Sequence, residues 1–409
     1  MLPCLRVLVL QSSFPLRQTA LFDIQTLNAI SRNGLDRLPA DLYRCAGDFE
    51  APDAILVRSA DLHGRVIPAS VKAVARAGAG TNNIPVAALS ARGVPVFNAP
   101  GANANAVKEL VVAGMLLAAR NLADALDFVR SLVDEDGLES RVEAGKKRFV
   151  GTELADRTLG VVGLGAIGVR VANAAYALGM RVIGFDPHMT VEGAWQLSAD
   201  VAKAGSLDEL FAASDYISLH VPLNERTRGL FGESALARVR PGVVLLNFAR
   251  EGIVDAAALR RGLADGRIGR YVSDFPEGDL LGNPCVIALP HLGASTGEAE
   301  ENCAVMVVEQ LRDFLEHGNV RHSVNFPETR MARMGCARIC IANSNRPNMI
   351  GQLSHVLGEA GVNIAQMHNA SRGELAWSLI DADSAVPEGL VAAIAAIDGI
   401  LSVRVIGGA

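Results

Sequence analysis

Two hydrophobic periods alternate along this chain. Short apolar runs of strand length recur as "RVLVL" at 6–10, "AILVRS" from Ala54, "VKAVARAG" and "VPVF". Six more follow: "TLGVV", "RVIGF", "YISLHVP", "VVLLNF", "YVSDF" and "CVIALP". Helical patterns separate many of them, the spacing of βα units and a parallel sheet. The longest helical pattern predicts a helix from about Asn105 to Leu132, opened by the polar caps of "NANAVKEL". Residues 134–150 are charged and without a period, so they read as a surface connection. A helix is expected from after His291 to about His317, and a polar, Pro/Gly-punctuated linker near 325–335. The last stretch, 336–409, reads strand, helix, strand, strand, helix, strand.

Composition narrows the class. With 409 residues, half of them hydrophobic, 40 glycines and only 5% aromatics, the chain suits an α/β protein of two or three domains. The net charge of −6 gives no general pull towards nucleic acid or an anionic membrane. No apolar run reaches the roughly 18 residues that span a bilayer. "MLPCLRVLVLQSS" is interrupted by Arg6 and reads as a first strand rather than a signal peptide. Six scattered cysteines with no His/Cys cluster argue for reduced cytosolic thiols and against a metal site.

"VVGLGAIG" places Gly163, Gly165 and Gly168 in G-x-G-x-x-G spacing between a strand and a helix. A second strand closes on Asp186, eighteen residues after Gly168. This is the dinucleotide fingerprint in its full context. The glycines permit the turn, the approach of a diphosphate and close helix–strand packing, with the phosphates on the helix N-terminus. Asp186 would bind the adenosine ribose and repel a 2′-phosphate, so NAD is expected as cofactor rather than NADP. The alternative is a glycine-rich turn in another doubly wound nucleotide fold.

Three polar features then follow strand ends. Arg250 comes after "VVLLNFA", Asp274 after "RYVS" with Glu277 and Asp279 close behind, and His291 after "VIALP". Ligands of open parallel sheets bind beyond the strands' carboxyl ends. A guanidinium there can grip a carboxylate with two parallel N–H bonds. A histidine can take a hydroxyl proton while hydride leaves the same carbon, and a carboxylate can orient the imidazole. Each feature alone is more often structural; together, downstream of the fingerprint, they outweigh that reading and suit hydride transfer between a 2-hydroxy acid and NAD.

With "ILVRSA", "ARAGAGTNNIP", "NAPGANANAVKEL", "TLGVVGLGAIG", "HVPL", "NFAREGIVD", "SDFPEGD" and "PHLGAST", nearly the whole chain resembles the D-2-hydroxyacid dehydrogenases that carry a C-terminal ACT domain. The resemblance implies two doubly wound lobes: a discontinuous substrate lobe, 1–98 and 291–328, and a Rossmann NAD lobe, 99–290. A βαββαβ ACT domain would follow over 336–409. It implies Arg250 and His291 as the catalytic pair. It also implies cofactor contacts at Ala166, Ile167, Asp186, Phe248, Ala249, Arg250 and Asp274, and substrate contacts at Arg58, Ser59, Gly80 and Asn103. The expected reaction is NAD-dependent oxidation of 3-phosphoglycerate to 3-phosphohydroxypyruvate, the entry to serine biosynthesis, in a cytoplasmic homodimer or homotetramer. L-serine is the expected effector, at Asn343, Asn345 and Asn363 in the tail.

The sequence departs from the family in three places. Glu251 stands where a glycine usually follows the catalytic arginine, and Ala60 where a second base often serves the phosphate. Lys108, Lys146 or Arg148 could supply that charge. The catalytic acid is Asp279 by spacing from Asp274, or Glu277 by side-chain length, with Asp279 favoured. Two other functions stay open: a dehydrogenase or reductase for another small 2-hydroxy acid such as glycerate or hydroxypyruvate, and a catalytically silent NAD-sensing protein.

Overall fold

A computed structural model describes residues 21–133, 137–334 and 336–407. The chain divides into two compact units, one formed by Met1–Ala75, Asn82–Phe97 and Val308–Ala409, the other by Arg76–Thr81 and Asn98–Val307. The expected strand at 6–10 lies outside the described residues.

The second unit is built on seven strands: β6 (Thr158–Val162), β7 (Arg181–Phe185), β8 (Ala202–Lys203), β9 (Tyr216–Leu219), β10 (Val243–Asn247), β11 (Ile268–Ser273) and β12 (Val286–Ala288). Their order is β12-β11-β10-β9-β6-β7-β8, and every pairing is parallel. This is the doubly wound arrangement whose order reverses between β6 and β9. A sheet covered on both faces needs apolar residues on both sides of each strand. In β10 all five residues are buried; Val244 and Leu246 enter one core and Val243 and Leu245 the other.

The helical pattern from Asn105 to Leu132 is not one helix. It forms Ala104–Arg120 and Leu122–Arg130, broken at Asn121, which is left-handed with φ 49°. Asparagine tolerates that conformation. Its amide donates to the Val150 carbonyl and accepts from Arg270 at 2.9 Å, which rewards the break. The surface connection expected over 134–150 contains a helix, Leu138–Gly145, and a 3₁₀ turn, Lys146–Phe149; 134–136 lie outside the described residues. Neither has a buried residue, so the burial period that marks a helix in sequence is missing.

In the first unit, β1 (Phe22–Leu27), β2 (Tyr43–Ala46), β3 (Ala54–Val57), β4 (Ala73–Arg76) and β5 (Val96–Phe97) form a sheet of order β2-β1-β3-β4-β5. β1, "FDIQTL", escaped the strand pattern because only Ile24 is buried. The tail forms β13 (Ala337–Ser344), β14 (Ile364–Arg372), β15 (Leu375–Ala382) and β16 (Ile400–Ile406), an antiparallel sheet of order β14-β15-β13-β16. With helices Met349–Glu359 and Leu390–Ala395 this is the expected βαββαβ unit. Ile339, Ile341, Leu353, Leu357, Ile380 and Ile394 form its core.

The opposite face of that sheet meets the end of helix Gly297–His317. Arg404 donates to the Phe314 and Leu315 carbonyls, Arg338 to His317, and the Trp377 indole to Gly318. A helix end leaves its last carbonyls without partners; here the tail's strands supply the donors. Arg338 is fully buried and uses its whole fork, pairing with Asp381 through two bonds of 2.6 and 2.8 Å and also reaching the Met331 and Ala332 carbonyls. The first part of the linker expected near 325–335 is packed: Phe326 is buried against the Trp377 ring, and Thr329 pairs with Val320, while residue 335 lies outside the described residues.

Candidate active site

The turn after β6 is shaped for a diphosphate. Gly163 has φ 90°, and a Cβ on Gly168 would lie 1.9 Å from the Gly163 carbonyl oxygen, so neither accepts another residue. Gly165 is different: a Cβ there would meet nothing within 4 Å. That open ground lies at the start of helix Ala166–Ala177, whose first N–H groups have no side-chain cap. Ala166 and Ile167 are the residues whose amides would face the phosphates. Asp186 directly follows β7, its Oδ2 accepting the Leu164 N–H and its Oδ1 the His188 N–H, both at 2.8 Å. It ties the glycine loop to the neighbouring strand while each oxygen keeps a lone pair for a ribose hydroxyl. At the reversal of strand order, His220 donates its backbone N–H to the Val162 carbonyl. Its Nε2 lies 2.8 Å from the Ser218 hydroxyl, and its buried Nδ1 has no partner. Burial pushes this imidazole down to about 4, so it is neutral at physiological pH.

Arg250, Asp274 and His291 stand beyond the ends of the adjacent strands β10, β11 and β12. Arg250 is exposed, and its Nη1 donates to the Ala249 carbonyl at 2.7 Å, while Phe248 is buried beneath the turn. Asp274 is buried; one oxygen accepts the Gly293 N–H at 3.0 Å and the other, Oδ1, is buried without a partner. Burial pushes its carboxyl up, against the pull of the Gly293 N–H and of His291. His291 is exposed, its ring 4.8 Å from that of Phe275. The unpartnered Asp274 Oδ1 can accept from a carboxamide N–H, the polar group a nicotinamide presents, so this residue set fits a dinucleotide at both ends.

The two candidate acids differ. Asp279 is exposed and engaged by Arg260 Nε at 2.6 Å, a bond that holds its carboxyl below the usual range. Glu277 makes no ion pair among the described residues. Burial pushes its carboxyl up, with Arg260 opposing and Asp279 and Glu251 adding to the rise. Gly80 and Asn103 belong to this second unit, Asn103 preceding helix Ala104–Arg120. Arg58 and Ser59 follow β3 in the first unit, where Asn28 Oδ1 accepts the N–H groups of Ser59 and Ala60 at 3.1 and 2.6 Å. In the tail, Asn343 is buried with Oδ1 unpartnered, Asn345 donates to the Gly373 carbonyl and Asn363 to Asp383.

Sequence reasoning missed Asn247, Ser273 and His220. Asn247 and Ser273 each close an apolar strand with a buried polar residue, a signal that was available.

The family model for the D-isomer specific 2-hydroxyacid dehydrogenase NAD-binding domain matches residues 112–293. The chain is 32% identical over 340 residues to D-3-phosphoglycerate dehydrogenase of Escherichia coli, covering 80% of this chain and 79% of that protein. This chain belongs to the D-isomer specific 2-hydroxyacid dehydrogenase family and carries its NAD-binding domain. Within the family it is also similar to D-3-phosphoglycerate dehydrogenase of Synechocystis, 39% identical over 284 residues, 67% of this chain and 49% of that protein. The match thus spans about half the length of that relative. Among solved structures, NAD+-bound 3-phosphoglycerate dehydrogenase of Entamoeba histolytica aligns with TM-score 0.58 and 26% identity, covering 75% of this chain and 99% of that one.

Proposed function

We propose that this chain catalyses NAD-dependent oxidation of 3-phosphoglycerate to 3-phosphohydroxypyruvate. The observation that carries the reading is the placing of Arg250, Asp274 and His291 beyond three adjacent strand ends of the sheet that holds the glycine loop. His291 takes the proton of the 2-hydroxyl, and Arg250 holds the carboxylate and polarises the C2 oxygen. Bound NAD supplies the acceptor for the hydride from C2. Glu277 supports His291, since Arg260 occupies Asp279. Asp274 orients the nicotinamide end and Asp186 the adenosine ribose. We assign substrate binding to the lobe 1–98 and 291–328, with Arg58, Ser59, Gly80 and Asn103 as contacts, NAD binding to 99–290 and regulation to 336–409.

One observation favours a second substrate, an unphosphorylated acid such as hydroxypyruvate. Ala60 brings no charge, and Asn28 already occupies the N–H groups of Ser59 and Ala60. The test is NADH oxidation with phosphohydroxypyruvate, with hydroxypyruvate and with neither. Preference for the phosphorylated acid supports the first reading, preference for hydroxypyruvate the second, and no turnover with either overturns both.

The partners follow from the same reading. Leu126 and Val129 on helix Leu122–Arg130 are 53% and 51% exposed although apolar, which supports a homo-oligomer. Leu126→Glu should lower the mass seen by light scattering if that face pairs. The unpartnered Asn343 Oδ1 supports L-serine as effector. Serine should slow wild-type turnover and leave Asn343→Ala unaffected; equal inhibition of both removes Asn343 from the site. We place the enzyme in the cytoplasm, in keeping with its free cysteines.

A further inference from the structure

Arg250 is exposed and held by few contacts of its own, yet a carboxylate grip needs a fixed guanidinium. The residue that fixes its turn is Asn247, the last of β10 and 1% exposed. Its Nδ2 donates to the Arg250 carbonyl at 3.0 Å, and its Oδ1 accepts the Ala249 N–H at 3.2 Å. One side-chain amide thus closes both directions of the turn 247–250. The Asn247 carbonyl in turn accepts the Ser273 hydroxyl at 2.9 Å, and that hydroxyl accepts the Phe275 N–H at 3.0 Å. The Ser273 carbonyl accepts the Leu289 N–H at 2.8 Å, two residues before His291. A chain of bonds therefore runs from the Arg250 turn across β11 towards β12.

We propose that Asn247 is a positioning residue that presents Arg250 to the substrate carboxylate, with Ser273 joining its turn to the strand that carries Asp274. The role rests on Arg250 being the carboxylate grip of the proposed function. A side-chain amide of this size offers a donor and an acceptor in one planar group, which a protonated carboxyl can reproduce. Aspartate at 247 keeps the acceptor but, when ionised, sets a negative oxygen against the Arg250 carbonyl. In this buried place it takes up a proton more readily than an exposed acid and then reproduces the amide. The ionisable or charged groups on the adjoining strand ends are Tyr271, whose hydroxyl lies 3.5 Å from the Asn247 amide, Asp274, Glu277, Arg250 and, after β9, His220, which burial keeps neutral. The two acids add to the tendency of an aspartate at 247 to be neutral, and the Arg250 guanidinium opposes them.

The experiment measures oxalate binding to the NADH-loaded protein by calorimetry, beside NADH binding by fluorescence. Oxalate reads the carboxylate grip without turnover. At neutral pH, Asn247→Ala and Asn247→Asp should weaken oxalate by about tenfold or more while NADH affinity stays within about twofold. Between about pH 7 and 5 the Asp variant should recover relative to wild type, and the Ala variant should not. Should either variant fail to fold, Ser273→Ala should weaken oxalate by a smaller factor with NADH binding kept. Unchanged oxalate affinity, a parallel loss of NADH binding, the same pH response in both variants, or a wild type that does not bind oxalate each overturn the role. Wild-type turnover is read separately: its absence overturns the proposed reaction, whereas oxalate binding decides Asn247.

Discussion

Asp274, 1% exposed at the end of β11, accepts the backbone N–H of Gly293 at 3.0 Å and so fastens the turn that carries His291. The contact needs an oxygen but not a charge, and its energetic cost follows from the charge. Burial raises this carboxyl in the folded chain above its value in the unfolded one. The fold therefore holds the proton more tightly, a stabilisation present in acid and lost as pH rises through the carboxylate range. At neutral pH ionised Asp274 weakens the fold. Asp274→Asn keeps the acceptor and should raise Tm at pH 7 by about 2–4 °C for each kcal/mol relieved. The gain should fade towards about pH 4 while turnover falls. Calorimetry across that range checks it; a gain that widens in acid would contradict the account.

His291→Ala should lower turnover by about 10² to 10⁴ with NADH binding near normal, the range for general acid–base work. Arg250→Lys should be severely impaired although charge is kept, because an ammonium cannot make the planar two-bond grip. Steady-state kinetics and NADH fluorescence titration check both. Near-wild-type turnover in either variant returns that residue to a structural role.

The two acids separate by pH profile. Asp279 is spoken for by Arg260, so Asp279→Asn should leave the histidine limb of the pH–rate curve in place. Under the proposed assignment Glu277→Gln removes the partner of the imidazolium, so that limb should move to lower pH. A shift in the Asp279 variant alone would restore the assignment that spacing favours.

Asp186→Ala carries two expected effects. Removing the repelling carboxylate should narrow the preference for NAD over NADP. Freeing the Leu164 N–H should also loosen the glycine loop and weaken both cofactors. Binding titrations with NADH and NADPH resolve the two: a variant that gains NADPH affinity with no loss for NADH would show that the loop does not need the bond.

Much of this was legible in the sequence because parallel strands are buried on both faces and announce themselves as unbroken apolar runs. All six runs expected from "TLGVV" to "CVIALP" are strands. β1 was not legible, since Asp23, Gln25 and Thr26 leave its pattern half-polar. The break at Asn121 was hidden because its reward, the bonds to Val150 and Arg270, comes from distant residues. The same holds at the site. Spacing nominated Asp279, and only the fold reveals that Arg260, nineteen positions earlier, already holds it.

The caps on helix Gly297–His317 bear on how the chain is made. The donors for its last carbonyls, Arg338, Trp377 and Arg404, all follow the helix in the chain and so are synthesised after it. A ribosome releases the first strands of this unit long before β16. Until Trp377 emerges the Phe326 side chain lacks its cover, and until Arg404 emerges Phe314 and Leu315 lack those caps. The nascent unit must wait, partly exposed, for strands made well after its helix. The delay between the helix and the strands that cap it is therefore set by the rate of translation.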